Sequence, residues 1–133
     1  MAEEVLRTKE AIYRGKTISY LKSLDVRESA KYLPSRPRRY VLRNFDVIQK
    51  FINRCEKRSS KNKKIRTHLR DILVVPQLVG LTISVYNGKS FQDVTLTTDM
   101  IGHKLGEFAM TREKVTHGSA GIGATKSSKA QKK

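Results

Sequence analysis

Arginine, lysine and tyrosine crowd the stretches of this chain in which chemistry is concentrated. Ser35-Arg36-Pro37-Arg38-Arg39-Tyr40, extended by Arg43, is the first dense basic cluster. A guanidinium donates two hydrogen bonds to one phosphate while its planar face stacks on a base. Arg36, Arg38, Arg39 and Arg43 therefore read as backbone contacts to a nucleic acid, with Tyr40 as an aromatic plane beside them; the alternative is solvated arginines and a Tyr40 that belongs to the core. Lys61, Lys63 and Lys64 lie in Ser59-Ser60-Lys61-Asn62-Lys63-Lys64, a stretch without an apolar residue. They are flexible point charges suited to phosphates and not to base reading. In Ile65-Arg66-Thr67-His68-Leu69-Arg70 the period-two pattern places Arg66, His68 and Arg70 outward, where they can follow a phosphate ridge, and Ile65 and Leu69 inward. His68 reads equally well as a structural hydrogen-bonding residue.

Catalysis requires convergent groups that tune one another's pKa. Asp93, Asp99 and Glu107 are isolated carboxylates at spacings typical of strand faces, caps and ion pairs, and no nucleophile pairs with a base by motif. His68, His103, His117 and Cys55 show no HxxxH or CxxC ligand spacing, so no metal is expected. Gly121-Ile122-Gly123 has no strand before it and no Gly-Lys-Ser/Thr after it, which makes it a flexible tail and not a phosphate loop. No enzyme and no cofactor is expected.

The bulk properties point the same way. Over 133 residues, 28 Lys and Arg face 12 Asp and Glu, a formal charge of +16. Such a chain repels itself until a polyanion neutralises it, so nucleic acid is the leading partner class and an anionic membrane surface the second. The length suits one modest domain with extensions. A single cysteine, Cys55, excludes an intrachain disulfide and fits a reducing compartment. No run approaches the roughly 18 apolar residues of a membrane span, and Ala2-Glu3-Glu4 does not begin like a secretory signal. A cytoplasmic protein is expected.

The positioning elements follow from periodicity. Leu81, Ile83 and Val85 alternate with Thr82, Ser84 and Tyr86, and Asn87-Gly88 offers two residues that readily take positive φ, predicting a β-hairpin whose return strand carries Val94 and Leu96 on one face. Met100, Ile101, Leu105 and Phe108, punctuated by Gly102 and Gly106, predict a compact helical turn folded back over it, with His103 and Lys104 at the surface. Thr17 caps a short helix bearing Ile18, Leu21 and Leu24. Asp25 and Glu28 form a capping box for a second helix with Val26, Ala30 and Leu33, which Pro34 ends. Asp46 caps the strongest helix, where Val47, Ile48, Phe51, Ile52 and Cys55 share a face expected to pack on the hairpin, leaving Lys50, Arg54, Lys57 and Arg58 outside. Residues 65–70 form a third strand beside the hairpin, and Ile72-Leu73-Val74-Val75-Pro76 an irregular segment over the core. The expected class is α+β: a small three-stranded antiparallel sheet packed by helices, with extended basic N- and C-terminal segments. Residues 1–16 are an arm, 17–111 a single domain (helical part 17–58, basic linker 59–64, sheet part 65–111) and 112–133 an extended basic tail.

The run Asn87-Gly88-Lys89, then Leu96, then Ile101-Gly102-His103-Lys104-Leu105-Gly106-Glu107-Phe108 and Thr111, resembles the signature of the small-subunit ribosomal protein nineteen family in the bacterial naming. Thr67-His68-Leu69-Arg70-Asp71, Pro76 and Val79-Gly80 upstream, with His117-Gly118 and Gly121-Ile122-Gly123-Ala124-Thr125 downstream, resemble its archaeal and eukaryotic branch, called protein fifteen in eukaryotes; the short tail leans archaeal. The resemblance implies a structural constituent of the small ribosomal subunit. It would bind small-subunit ribosomal RNA in the head, the 3′ domain, near the decoding A site, supporting assembly and translation. Small-subunit protein thirteen would be its neighbour, with A-site transfer RNA approached by the tail from Arg112 to Thr125. On that basis Lys89, His103, Lys104, Arg112, Lys114, His117 and Lys126 join the residues above as RNA contacts. No membrane partner and no homo-oligomer is expected. The competing classes are a basic DNA-binding or chromatin protein, which needs a base-reading helix or a wedge, and a non-ribosomal RNA-binding adaptor.

Overall fold

A segment with almost no regular structure runs through the middle of the molecule. In the computed structural model, which describes residues 11–115 and Lys126, Ile72, Leu73, Val74, Val75, Pro76 and Leu78 are all buried. Pro76 removes a ladder donor, so the chain makes a 3-10 turn at Pro76–Leu78. The backbone before it pairs with the glycine-punctuated loop instead. Val74 N–H donates to His103 O at 2.8 Å, Gly102 N–H to Val74 O at 3.0 Å, Leu105 N–H to Ile72 O at 2.9 Å and Gly106 N–H to Arg70 O at 2.9 Å. Such pairing allows a buried irregular segment to satisfy its polar groups.

Around this spine the element order is β1 (Ile12–Tyr13), β2 (Lys16–Thr17), α1 (Ile18–Ser23), α2 (Val26–Ser29), α3 (Ser35–Arg43), α4 (Phe45–Ser59), β3 (Ile65–Thr67), β4 (Thr82–Tyr86) and β5 (Phe91–Thr95), with 3-10 turns at Ala30–Tyr32, Thr98–Met100 and Leu105–Phe108. The α+β class is the one expected. The sheet, however, is mixed: β4 and β5 are antiparallel, with Ile83 opposite Val94 and Tyr86 opposite Phe91, while β3 runs parallel to β4 with Ile65 opposite Ile83. Residues 68–81 supply the dozen or so residues a parallel crossover needs, and the buried spine is that crossover.

Other details also depart from the sequence reading. Residues 11–16 belong to a β1–β2 hairpin turning on Arg14 and Gly15, both at positive φ, and not to an arm. Thr17 does cap α1, accepting from Tyr20 N–H at 3.4 Å, but Asp25 makes no side-chain cap bond. Asn44 stands at the cap of α4, Asp46 falls in its first turn, and Val47 is 50% exposed while Ile48, Phe51, Ile52 and Cys55 are buried. The buried stripe simply begins one residue later. This face meets β3 and the Pro76–Leu78 turn as well as α2 and α3, so it covers the sheet from its β3 side. Burial holds the Cys55 thiol up at about 11, making it an inert core residue. Leu69 is 44% exposed because β3 stops at Thr67, ending the alternation. In the β4–β5 loop only Gly88 takes positive φ; Asn87 Oδ1 instead accepts from the N–H groups of Lys89 and Ser90 at 3.0 and 2.8 Å.

Candidate nucleic-acid interface

The arginine cluster is helical. Leu33 before Pro34 is extended, and the new helix starts directly after that proline. Pro37 is tolerated because it sits in the first turn, where its missing N–H has no intrahelical acceptor. Val41 anchors α3 in the core, and Arg36, Arg38, Arg39 and Arg43 are exposed. Arg36, Arg39 and Arg43 line a shallow recess with Tyr40 and Asn44; Arg38, Arg39 and Arg43 line another with Ser35 and the exposed Leu42. Tyr40 is half-buried, packing against the core while also lining the arginine recess.

The glycine-punctuated loop joins this face. Gly102 has φ +88, and a Cβ there would sit 3.7 Å from Pro34 and 3.8 Å from Pro37, so the loop rests on the start of α3. Lys104 Nζ lies 5.3 Å from the Tyr40 ring centroid and 3.4 Å from Asp71 Oδ1. His103 is at the surface as expected, its Nδ1 2.8 Å from Glu107 Oε2. That hydrogen bond, with a second from the Lys104 backbone N–H, holds the Glu107 carboxyl below the ordinary glutamate range.

A second basic surface forms at the end of α4. Ser60 N–H bonds Glu56 O, Asn62 takes φ +51, and Lys63 N–H returns to Arg58 O at 3.0 Å. The linker is therefore folded back against the helix. It brings Lys61, Lys63 and Lys64 beside Lys50, Arg54, Lys57 and Arg58 around one open cleft that no carboxylate lines. Lys64 also reaches within 3.9 Å of Asp93 on the sheet. The sequence placed Lys50, Arg54, Lys57 and Arg58 outside without assigning them to an interface. The signal for doing so was Asn62, a residue that accepts the left-handed conformation.

A third region lies at the sheet. Arg66 and His68 are exposed on the side away from the core, and Lys89 is exposed on the β4–β5 loop. Arg70 departs from the expectation for it. Its Nη1 donates to Tyr86 O at 2.6 Å and its Nη2 to Gly106 O and Ala109 O, both at 2.7 Å. This guanidinium ties the β4 end to the signature loop and is a structural clamp, not an outward phosphate ligand. Arg112, Lys114 and Lys126 are exposed. His117 lies outside the described residues, as do residues 1–10, 116–125 and 127–133 of the expected arm and tail. Among the described residues no group of His, Cys, Asp and Glu is arranged to hold a metal, and no helix is long and apolar enough to cross a membrane.

A small folded core wearing separated cationic faces defines a basic binding module. The comparisons make that class specific. Residues 39–117 match the family described as Ribosomal protein S19. The chain is 48% identical over 124 residues to the small ribosomal subunit protein uS19 of Methanocella arvoryzae, covering 92% of this chain and 86% of that one. It is also 48% identical over 125 residues to the small ribosomal subunit protein uS19 of Halorubrum lacusprofundi, covering 91% and 89%. The chain belongs to the ribosomal protein S19 family, on its archaeal side, and this is a structural family and not an enzymatic one.

Proposed function

We propose that this protein is a structural constituent of the small ribosomal subunit that binds small-subunit ribosomal RNA in the head, the 3′ domain, near the decoding A site, and so supports assembly and translation in the cytoplasm. The observation that carries the reading is the division of the surface. The arginines of α3 and the acid-free cleft of α4 and its linker project from one packed core, so that their spacing is fixed before RNA arrives. Cations held at fixed spacing offset repulsion between phosphates brought together by RNA folding, and the core sets where they sit. Small-subunit protein thirteen is the expected neighbour, and the tail beyond Arg112 is the part directed to A-site transfer RNA.

The test is sedimentation with crosslinking. Tagged protein expressed in an archaeal host should travel with small subunits, and ultraviolet crosslinks from α3 and residues 61–64 should map to the 3′ domain. Exclusive recovery in free fractions, or crosslinks confined to another domain, would refute the assignment.

A further inference from the structure

One surface of the sheet gathers three rings, where the α3 recess offers the single ring of Tyr40 and the α4 cleft none. Tyr86 and Phe91 are cross-strand partners with ring centroids 5.1 Å apart. His68, just past the end of β3, meets both, 4.7 Å from Tyr86 with the planes tilted by 48° and 5.1 Å from Phe91 edge-on at 76°. Tyr86 and Phe91 are half-buried, and His68 is the exposed ring of the three. The backbone at Tyr86 is tethered, because Arg70 Nη1 donates to its carbonyl at 2.6 Å. Arg66 lies 5.4 Å from the Phe91 centroid on one side, and Lys89 is exposed on the neighbouring loop. Asp93, opposite Ser84 in the sheet, accepts a hydrogen bond from Ser84 and lies 3.9 Å from Lys64.

We infer that this cluster is a stacking platform for an unpaired RNA base, with His68 as the contacting ring and Arg66 and Lys89 taking the flanking phosphates. The inference deepens the RNA-binding reading and rests on it. An exposed ring with cations nearby is complementary to the two parts of a single-stranded nucleotide, its apolar base and its charged backbone. A duplex hides its bases and offers only the second. The platform therefore selects a bulge, loop or junction, which the lysine cleft of α4 does not.

The experiment uses the full chain and a short single-stranded oligoribonucleotide carrying 2-aminopurine, against a hairpin duplex without unpaired bases. Stacking should quench the 2-aminopurine fluorescence. His68→Ala should abolish the quench and weaken single-strand binding by roughly 5- to 150-fold, the span expected for losing one stacked base. His68→Phe should keep both signals. His68→Lys adds charge without a plane and should behave as the alanine variant does. Circular dichroism establishes that each variant is folded. Wild-type affinity retained by His68→Ala or His68→Lys, with salt-sensitive binding to both RNAs intact, would overturn the platform and leave the RNA-binding reading standing. Failure of the wild-type chain to bind either RNA would remove that reading and the platform with it. Shielding of His68 from diethylpyrocarbonate in assembled subunits, with unchanged RNA affinity in His68→Ala, would assign the surface to a protein neighbour instead.

Discussion

Arg70 and Gly106 show how a residue type that suggests ligand binding can be claimed by the fold. The Arg70 fork reaches carbonyls of Tyr86, Gly106 and Ala109, and a Cβ on Gly106 would stand 3.0 Å from Arg70 Cβ and 3.1 Å from Arg70 O. A side chain at position 106 would be tight, and Arg70 would have to give by a few tenths of an ångström at atoms that are not the free end of a side chain. Gly106→Ala should cost about 1–3 kcal/mol by overpacking. Arg70→Ala should cost roughly 2–4 kcal/mol, with Arg70→Lys giving little rescue because an ammonium cannot reproduce the fork. Urea denaturation measures all three. Glu107 makes a pH prediction. Its folded pKa is depressed by the His103 hydrogen bond, so the stability it contributes is present above its unfolded pKa and is lost as pH falls through the folded value. Because the pair is exposed, the signature is local: the Lys104 amide resonance should titrate in acid, below the ordinary glutamate range, and the titration should move toward that range in His103→Ala.

At the scale of elements, α3 and α4 divide the labour between charge and packing. Phe51→Ala on the buried face of α4 should lower stability by about 3–5 kcal/mol while leaving the salt dependence of RNA binding in the folded protein unchanged. Removing Arg38, Arg39 and Arg43 together should do the reverse, weakening binding and reducing the salt slope by about one for each phosphate no longer neutralised. Isothermal titration at several salt concentrations separates the two. The α4 stripe was legible because it is a long helix with an uninterrupted period, and the β4–β5 hairpin because alternation and a turn signal coincide. The helix at Ser35–Arg43 is hard to see in the sequence because Pro34 ends the preceding helix and Pro37 interrupts the cluster, which is compatible with a helix only when Pro37 falls in its first turn. The direction of β3 was not legible either. Period two gives a strand and its faces, whereas orientation depends on the path of residues 68–81, a run whose hydrophobicity shows burial but not route.

For the whole molecule, a charge of +16 on a chain of 133 residues is the feature from which the rest follows. Composition alone announced the partner class, because that much like charge needs a polyanion. Which cations share a cleft shows in the sequence only through Asn62, because the cleft of Lys50, Arg54, Lys57, Arg58 and the linker lysines exists once that residue turns the chain back on α4. The aromatic group of His68, Tyr86 and Phe91 was invisible, because it joins three separate strands' ends through pairings that no local pattern specifies.

The central claim is that these fixed cations hold small-subunit ribosomal RNA. It is tested most directly by the affinity of the full chain for the isolated 3′ domain as a function of salt. With about 6 to 10 phosphates neutralised, the association constant should fall by roughly 10³ to 10⁵ between 50 and 200 mM monovalent salt, and the fall should shrink when Lys61, Lys63 and Lys64 are replaced by Gln. An affinity that changes less than about tenfold over that range, or a slope indifferent to those lysines, would contradict it.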